Sequence, residues 1–288
     1  MSDETGATLG ILAGGGALPG RIAAAALAAG RAVFVLGFEG FADPDVLAPY
    51  PHEFVRLGAA GRIRDRLHAH SCRELVIAGT VRRPSVLDLR PDRFGVRVLG
   101  RIGRAAFAGD DDFLSAIVRV LHEEGFVVRG VAEVLSEALG PAGLLTGAAP
   151  DATALADIER GVRVVRALGA VDVGQGCVVQ QGIVLAVEAA EGTDAMLVRA
   201  GALARPGPGG VLVKLVKPRQ DRRVDLPTLG PQTVRLARAA GLRGIAFEAG
   251  GTLIMEHDAM LAAAAASGLF LLGLDPARVA AAAHGENG

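Results

Sequence analysis

Cysteine and aromatic residues are scarce in this chain of 288 residues, which contains two cysteines, one tyrosine and no tryptophan. Cys72 and Cys177 lie far apart in the sequence and neither has a nearby partner. This argues against a disulfide framework or a cysteine-based zinc site and fits a reducing cytosol. The net charge is −1. Without a surplus of basic residues, no nucleic-acid partner is expected.

Long apolar runs are also missing. The longest covers residues 259–274, is rich in alanine and is interrupted by Gly268. It is shorter than the roughly 20 residues that a membrane span needs, and it predicts a buried helix followed by a strand. Residues 1–10 are acidic and polar and have no signal-peptide pattern. We therefore expect a cytoplasmic protein.

Apolar residues make up 51% of the chain and charged residues 21%, which is typical of a packed globular protein. At about 150 residues per domain, this length predicts two domains. Residues 139–150 are rich in glycine, proline and alanine and form the best candidate linker. We predict an N-terminal α/β domain over residues 1–138 and a C-terminal α/β catalytic domain over residues 151–288. The ligand is expected in a cleft between them.

In the first half, short apolar runs alternate with segments of helical periodicity. Strands that are apolar throughout indicate a parallel sheet covered on both faces, so we predict a Rossmann-like sheet. The predicted strands are residues 9–13, 32–38, 74–81, 126–131 and 134–135, and the predicted helices are residues 21–29, 60–70 and 111–124.

The second half repeats the alternation. Residues 178–188 predict a strand pair or one bent strand. The other predicted strands are residues 210–216, 244–248 and 269–272, and the predicted helices are residues 151–168, 193–199, 233–240 and 259–266.

A glycine turn follows the first strand, at Gly14, Gly15 and Gly16. Backbone N–H groups of such a turn, placed before a helix, form an anion site. The spacing departs from the G-x-G-x-x-G fingerprint, although Glu39 ends the second strand where a ribose-binding acid would lie. The turn therefore fits either a phosphate or nucleotide site or a purely structural tight turn.

Glu188, Glu191, Thr193 and Asp194 stand close together in the second half. A helix N-cap would explain Thr193 and the acid beside it. It does not explain Glu188, which lies inside a predicted apolar strand.

A segment dense in charge follows at residues 214–228. Lys214 lies between Val213 and Leu215, so we predict that it is partly buried and needs an anion. Cations beside carboxylates suit a phosphorylated substrate, and a solvated loop with local ion pairs is the alternative. The segment also contains Lys217, Arg219, Asp221, Arg222, Arg223, Asp225 and Thr228.

Several segments together resemble the LpxI family, the UDP-2,3-diacylglucosamine pyrophosphatases of lipid A biosynthesis. The resemblance runs from Leu9 to about Asp275. It rests on LGILAGGGALPGRIA, ELVIAGTVRRP, CVVQQGIVLAVEAAEGTDAMLVR, GVLVKLVKPRQDRRVDLPTLGPQTV and GIAFEAGGTLIM.

The resemblance implies Mg²⁺-dependent hydrolysis of UDP-2,3-diacylglucosamine to 2,3-diacylglucosamine 1-phosphate (lipid X) and UMP. In that chemistry Asp225 is our candidate catalytic carboxylate and metal ligand, because hydrolysis needs neutralised phosphate oxygens and positioned water. The further candidate metal ligands are Asp221, Glu188 and Glu191. The candidate substrate-binding residues are Gly14, Gly15, Gly79, Thr80, Thr193, Asp194, Lys214, Lys217 and Thr228.

Two other functions stay open from the residues alone. A nicotinamide-dependent oxidoreductase would use the glycine turn and Glu39 but leaves the charged segment unexplained. A non-catalytic protein that binds a nucleotide sugar or lipid phosphate would keep the lysines and tolerate loss of Asp225. The lipid substrate implies transient, peripheral contact with the inner membrane. The oligomeric state stays open, with a homo-oligomer among the alternatives.

Overall fold

The computed structural model describes residues 8–81, 89–103, 110–218, 220–275 and 277, with the side chain of residue 110 excepted. The chain divides into two compact units. Unit 1 extends to Ser136 and also contains Asp221–Asp225, whereas unit 2 contains Glu137–Gln220 and resumes at Leu226. The sequence predicted a single change of domain near residue 139, and it did not predict the return of five residues to unit 1.

Unit 1 is built on a parallel five-stranded sheet with the order β3-β2-β1-β4-β5. This confirms the predicted α/β class and the Rossmann-like parallel sheet. The described elements are β1 Thr8–Ala13, α1 Leu18–Ala28, β2 Val33–Phe38, α2 Pro44–Leu47, β3 His52–Val55, α3 Ala60–Ala69, β4 Cys72–Ala78, α4 Arg93–Ile102, α5 Asp110–Glu123, β5 Val127–Val128 and α6 Val131–Val134.

Burial explains why the apolar runs of unit 1 become inner strands. Every residue of β2 is buried, and so is every residue of β1 after Thr8. Leu36 and Leu75 of the sheet pack with Leu67 of α3 and with Phe126 in one core. Strands covered on both faces lose the alternation of polar and apolar residues, which is why the sequence showed continuous apolar runs.

The strand order of unit 1 reverses beside β1. The chain first moves outward through β2 and β3 and then returns to the other side of β1 with β4 and β5. The loops at the carboxyl ends of β1 and β4 therefore lead to opposite sides of the sheet. Open parallel sheets bind ligands at this position.

Unit 2 contains a mixed six-stranded sheet with the order β6-β13-β11-β9-β7-β8, and a two-stranded sheet formed by β10 and β12. A short 3₁₀ turn, Ser136–Ala138, precedes it. The described elements are β6 Gly143–Thr146, α7 Ala152–Ala170, β7 Gly176–Gln180, β8 Ile183–Val187, α8 Gly192–Ala202, β9 Val211–Lys214, β10 Thr228–Leu229, α9 Pro231–Ala239, β11 Gly244–Glu248, β12 Leu253–Ile254, α10 His257–Ser267 and β13 Phe270–Leu274.

The strands of unit 2 place their ends at defined edges of the sheet. β13, β11 and β9 are parallel, and β7 pairs antiparallel with both β9 and β8. β8 therefore runs in the same direction as β9. The carboxyl ends of β8, β9, β11 and β13 lie at one edge, which we call the carboxyl edge of unit 2.

Side chains alternate between the two faces of this sheet because residues i and i+2 of a strand share a face. Leu212 and Phe247 face the core formed with α8, α9 and α10. Val213 and Ala246 face the opposite core, formed with α7. This alternation also decides which helix each strand-end side chain faces.

Several short segments differ from the sequence prediction, and α2, β3, β10 and β12 were not predicted. Residues 139–150, predicted as a linker, contain β6, which pairs antiparallel with β13. Residues 134–135, predicted as strand, contain the end of the helical turn α6. Helix α4 was not predicted. β6 is a strand because β13, which is distant in sequence, supplies its hydrogen bonds. The local composition does not predict that partner.

The longest apolar run forms α10 and β13, as predicted. Among the residues that the structure describes, no helix is both long and apolar enough to cross a membrane.

Candidate active site

The loops after β1 and β4 of unit 1 interlock through backbone hydrogen bonds. The Gly15 N–H donates to the Thr80 oxygen at 2.8 Å, and the Thr80 N–H donates to the Gly15 oxygen at 3.0 Å. A Cβ at Gly14 would lie 2.8 Å from the carbonyl group of Gly79, which itself has φ of 91°. The structure thus brings together the four predicted substrate-binding residues of unit 1.

Close packing of these loops explains two of the glycines, and no bound ligand is needed for that explanation. The N–H groups of Gly14 and Gly15 donate to the oxygens of Ala78 and Thr80 at 2.8 Å and are used inside the loop pair. The structural tight turn is therefore sufficient to explain these two residues, and their contact with substrate stays a prediction. Glu39 is exposed and follows β2 directly.

The segment 221–225 lies against the end of β5. A Cβ at Gly130, two residues beyond β5, would lie 3.5 Å from the Arg223 Cα. The Arg223 guanidinium lies 3.4 Å from Nε2 of His122 on α5. The segment therefore sits near the sheet edge of unit 1 that also carries the glycine loops, because the carboxyl ends of parallel strands share an edge.

Within this segment Asp221 is fully engaged by an arginine. Arg223 Nε donates to Oδ1 at 2.9 Å and Nη2 donates to Oδ2 at 2.7 Å. The hydrogen bonds from Arg223 hold the pKa of Asp221 below its ordinary value of 3.8. Asp225 is half-buried, and its N–H donates to the Asp221 carbonyl oxygen at 3.1 Å. Arg219 lies outside the described residues.

In unit 2, Lys214 and Glu188 end or follow strands at the carboxyl edge and face α8. Lys214 shares the face of Leu212, and Glu188 shares the face of Ala186. The Lys214 Nζ donates to Thr193 Oγ1 at 2.5 Å, and that hydroxyl donates to Glu188 Oε1 at 2.7 Å. Nζ and Oε1 are 4.0 Å apart, and the side chains of Lys214 and Glu188 are 6% and 9% exposed.

The prediction that Thr193 caps the helix is wrong. The N-cap of α8 is Glu191, and no side chain caps it. The Thr193 hydroxyl instead donates to Glu188, which also gives that acid the partner that the sequence could not assign. The predicted burial of Lys214 and its need for an anion are confirmed, since its residue is 5% exposed and faces Glu188.

Lys217 is paired separately. Its Nζ donates to Asp172 Oδ1 at 2.5 Å, and its backbone N–H donates to Gln220 Oε1 at 3.0 Å. β9 ends at Lys214, so strand alternation does not govern the direction of Lys217. These are the only two lysines of the chain, and the other 28 of its 30 cationic residues are arginines.

The remaining predicted residues of unit 2 lie at exposed positions. Arg199 donates to Glu191, and the pKa of Glu191 is lowered by a hydrogen bond from its own backbone N–H and by Arg199. Asp194 lies exposed in the first turn of α8. The exposed Thr228 hydroxyl donates to the Leu226 oxygen at 3.3 Å.

Sequence reasoning missed a second buried ion pair at this edge. Arg166 of α7 donates to Glu248 Oε2 at 3.0 Å and to the Val216 oxygen at 2.9 Å. Glu248 is 1% exposed and shares the face of Ala246, toward α7. An acid at the end of an apolar strand was the available signal, the same one that marked Glu188. Asp172, the partner of Lys217, gave no such signal.

Comparison with known proteins assigns most of the chain to one family. The family model of the LpxI N-terminal domain matches residues 8–138, and that of the LpxI C-terminal domain matches residues 141–272. A relative from Caulobacter vibrioides is 45% identical over 274 residues, which is 93% of this chain and 98% of the relative. The chain belongs to the LpxI family. The border between the two LpxI domains falls close to the change of unit at residues 136–137.

The LpxI relative is named UDP-2,3-diacylglucosamine pyrophosphatase LpxI. Two solved structures show weak likeness, each at 15% identity. The precorrin-6A reductase CobK has a TM-score of 0.34, over 94% of this chain and 88% of that chain. The UDP-glucose 4-epimerase of Thermus thermophilus, in complex with NAD, has a TM-score of 0.31, over 97% and 93%.

Proposed function

We propose that this chain hydrolyses the pyrophosphate bond of UDP-2,3-diacylglucosamine and releases 2,3-diacylglucosamine 1-phosphate and UMP. The observation that carries the proposal is the 45% identity, over 93% of the chain, to a protein named for this activity. The strand-end acids and lysines described above are residue types that phosphoanhydride hydrolysis uses.

The proposed reaction consumes one water molecule. Its oxygen bonds to the β phosphorus, which carries the sugar, and the bond from that phosphorus to the bridging oxygen breaks. UMP leaves with the bridging oxygen, and the proton of the attacking water passes to a base. We assign to Asp225 the role of this base, which also orients the attacking water. Lys214 and Lys217 are proposed to neutralise phosphate oxygens, and an ammonium has three hydrogens with which to do so.

Mg²⁺ is part of the proposal, and the residues present fit it. Within each unit, the described residues contain no group of three His, Cys, Asp or Glu that could hold a metal ion. Mg²⁺ commonly takes only one or two carboxylates and completes its shell with phosphate oxygens and water. Asp225 is the candidate ligand, because it directly follows the basic residues that are expected to contact phosphate. Asp221 and Glu191 each form an ion pair with an arginine. When bound, Mg²⁺ would neutralise charge on the phosphate oxygens.

The proposal is tested by incubating the purified protein with UDP-2,3-diacylglucosamine and Mg²⁺ and following phosphorus species by ³¹P NMR. UMP and the lipid 1-phosphate are expected in equal amounts. EDTA should stop the reaction and Mg²⁺ should restore it. In H₂¹⁸O the label is expected in the lipid 1-phosphate. Binding without products would favour the non-catalytic alternative, and full activity in EDTA would remove the metal.

We also propose that the protein is cytoplasmic and contacts the inner membrane transiently, because its proposed substrate carries two acyl chains. The basic helix α3 is a poor anchor. Arg66 pairs with Glu53, Arg64 pairs with Asp65 at 2.8 Å, and His68 stacks on a phenylalanine. Association should weaken with salt, since charges are screened beyond about 10 Å at 0.1 M. Recovery only in a salt- and carbonate-resistant membrane fraction would contradict this.

A further inference from the structure

The two lysines of the chain differ in how their charge is met. Lys217 makes a direct ion pair with Asp172, with 2.5 Å between nitrogen and oxygen. Lys214 makes none at that distance, because a hydroxyl group lies between its ammonium and the Glu188 carboxylate. Its nitrogen is 4.0 Å from the nearer carboxylate oxygen. Lys214 also ends β9, an inner strand, at the carboxyl edge of unit 2.

The hydroxyl of Thr193 links the two charges in a fixed order. A carboxylate can only accept, so the Thr193 hydrogen must point to Glu188, and the lone pairs of Oγ1 are then directed at Lys214. The resulting chain runs from Nζ through Oγ1 to Oε1, over 2.5 and 2.7 Å. This relay fixes one of the three ammonium hydrogens and thereby restricts the directions of the other two.

Only one of the two carboxylate oxygens of Glu188 accepts a hydrogen bond from the described residues. Its Oε2 is buried and, in the described part of the chain, has no hydrogen-bond partner. A Cβ at Gly176 would lie 2.6 Å from Oε2, so this glycine leaves room for the oxygen. Gly176 is paired in register with Lys214. A buried acceptor without a hydrogen bond carries a free-energy cost. A lysine–glutamate pair that served stability alone would avoid this cost by direct contact.

We propose that Glu188 and Thr193 are positioning residues that hold the Lys214 ammonium at the carboxyl end of β9, directed at a phosphate oxygen of a diphosphate ligand. The inference rests on the proposed function, which supplies a diphosphate. A displacement of about 1 Å in a reacting group can cost on the order of 10²-fold in rate. Orienting a long, flexible lysine side chain before the ligand binds therefore raises the reaction rate.

The proposal is tested first by binding, without turnover. Lysine labelled with ¹⁵N gives two side-chain signals in this protein, one each for Lys214 and Lys217, and a Lys217→Arg variant assigns them. Inorganic pyrophosphate is the probe. We expect it to shift the Lys214 signal. Glu188→Gln and Thr193→Val should weaken that response about tenfold or more, the effect of losing one hydrogen bond to a charged group, whereas Thr193→Ser should retain it.

Matched variants separate positioning from stability. Asp157 is a fully buried carboxylate of the same unit that accepts the N–H groups of Gln181 and Gly182. That turn joins β7 to β8 at the opposite edge of the sheet. Asp157→Asn should lower the melting temperature and leave the Lys214 response unchanged. Gly176→Ala keeps every charge but displaces the Glu188 carboxylate, and it should weaken the response.

Turnover gives the second measurement. Glu188→Gln and Thr193→Val should each lower kcat by about 10- to 100-fold, with a smaller change in KM. The double variant should be no slower than the slower single variant, because the effects of residues that act as a unit are not additive. Thr193→Ser should recover most of the rate. Independent, multiplying effects would contradict a relay.

The two proposals fail in different ways. Suppose that pyrophosphate shifts the Lys214 signal and that this shift requires Glu188 and Thr193, but that UDP-2,3-diacylglucosamine is not hydrolysed. The proposed function then fails and the positioning role stands. If pyrophosphate shifts only Lys217, or if Glu188→Gln responds like the parent, the positioning role is wrong. If Glu188→Gln does not fold, Gly176→Ala and the Thr193 variants give the same decision, since they retain the carboxyl group of Glu188.

Discussion

Several acids near the strand ends of this protein are bound to arginine side chains. Asp221, Glu191 and Glu248 each accept from a guanidinium group. Because arginine stays protonated at all ordinary pH values, each of these carboxylates faces a permanent positive charge. A carboxylate that orients water needs its charge directed at the substrate. We assign that task to Asp225, which lies between the basic residues 222–223 and the Leu-Pro-Thr turn at residues 226–228.

Asp225→Asn is expected to fold, to bind substrate and to lose about 10²- to 10⁴-fold in turnover, the usual contribution of one catalytic acid or base. The rate is measured by release of UMP, and folding by the thermal melting curve. Asp258→Asn is the matched control, since its side chain is fully exposed and its recorded contact is with the neighbouring His257. An Asp225→Asn variant within a few-fold of the parent rate would contradict the role.

The two thiols are expected to be unreactive in the native protein. Burial raises the pKa of Cys72 to about 11 and that of Cys177 to about 12. At pH 8 a thiol reagent should modify neither residue until denaturant is added. The unfolded chain ionises near the ordinary value of 9.0 and the folded chain does not. The free energy of unfolding should therefore fall as the pH rises above about 9, and less steeply in Cys177→Ala. Rapid native labelling would contradict this burial.

At the scale of elements, the loops after β1 and β4 form a close backbone contact in unit 1. Each loop hydrogen-bonds the other, so neither strand end is positioned alone. Gly79 combines a positive φ with close approach, and Gly16 has a positive φ of 87° with open space around it. The two positions therefore separate backbone strain from steric contact.

Gly79→Ala should destabilise the protein more than Gly16→Ala. Both substitutions force an L-residue into the left-handed region, at a cost of roughly 1–2 kcal/mol. The new Cβ at residue 79 would also lie 2.7 Å from the Gly15 oxygen, and backbone cannot yield cheaply. That contact should add about 1–3 kcal/mol, the usual cost of overpacking. Equal losses in the free energy of unfolding, measured by urea denaturation, would show that the loops separate easily.

At the scale of the whole molecule, the chain passes between the two units more than once. It leaves unit 1 after Ser136, returns for Asp221–Asp225 and then resumes unit 2 at Leu226. The residue proposed for catalysis therefore belongs to unit 1, while the lysines belong to unit 2. A fragment cut at the predicted linker would lack part of unit 1.

Hydrogen exchange should show that residues 221–225 follow the stability of unit 1. Leu75→Ala and Leu212→Ala are matched core substitutions, one in each unit, and both parent side chains are fully buried. Each should cost about 2–5 kcal/mol. We expect amide exchange in residues 221–225 to accelerate more in Leu75→Ala. The opposite ranking, measured by mass spectrometry of peptides covering this segment, would assign the segment to unit 2.

Much of the candidate site could be predicted from the sequence because strands and their ends leave local signals. A charged residue within an apolar run, as at Lys214 and Glu188, indicates a charge carried by a buried strand. The motifs around Thr193 and Asp225 carried the family resemblance that the comparisons confirmed. The edge acid Glu248 shows the same signal.

The partners of those residues were decided by the tertiary structure alone. Local periodicity records which side chains are buried, since burial repeats with the geometry of each element. It does not record strand order, which brings Thr193 between Glu188 and Lys214 and gives β6 its partner. It also does not show that residues 221–225 return to unit 1. Such contacts join residues far apart in the chain, and their positions depend on how whole elements pack.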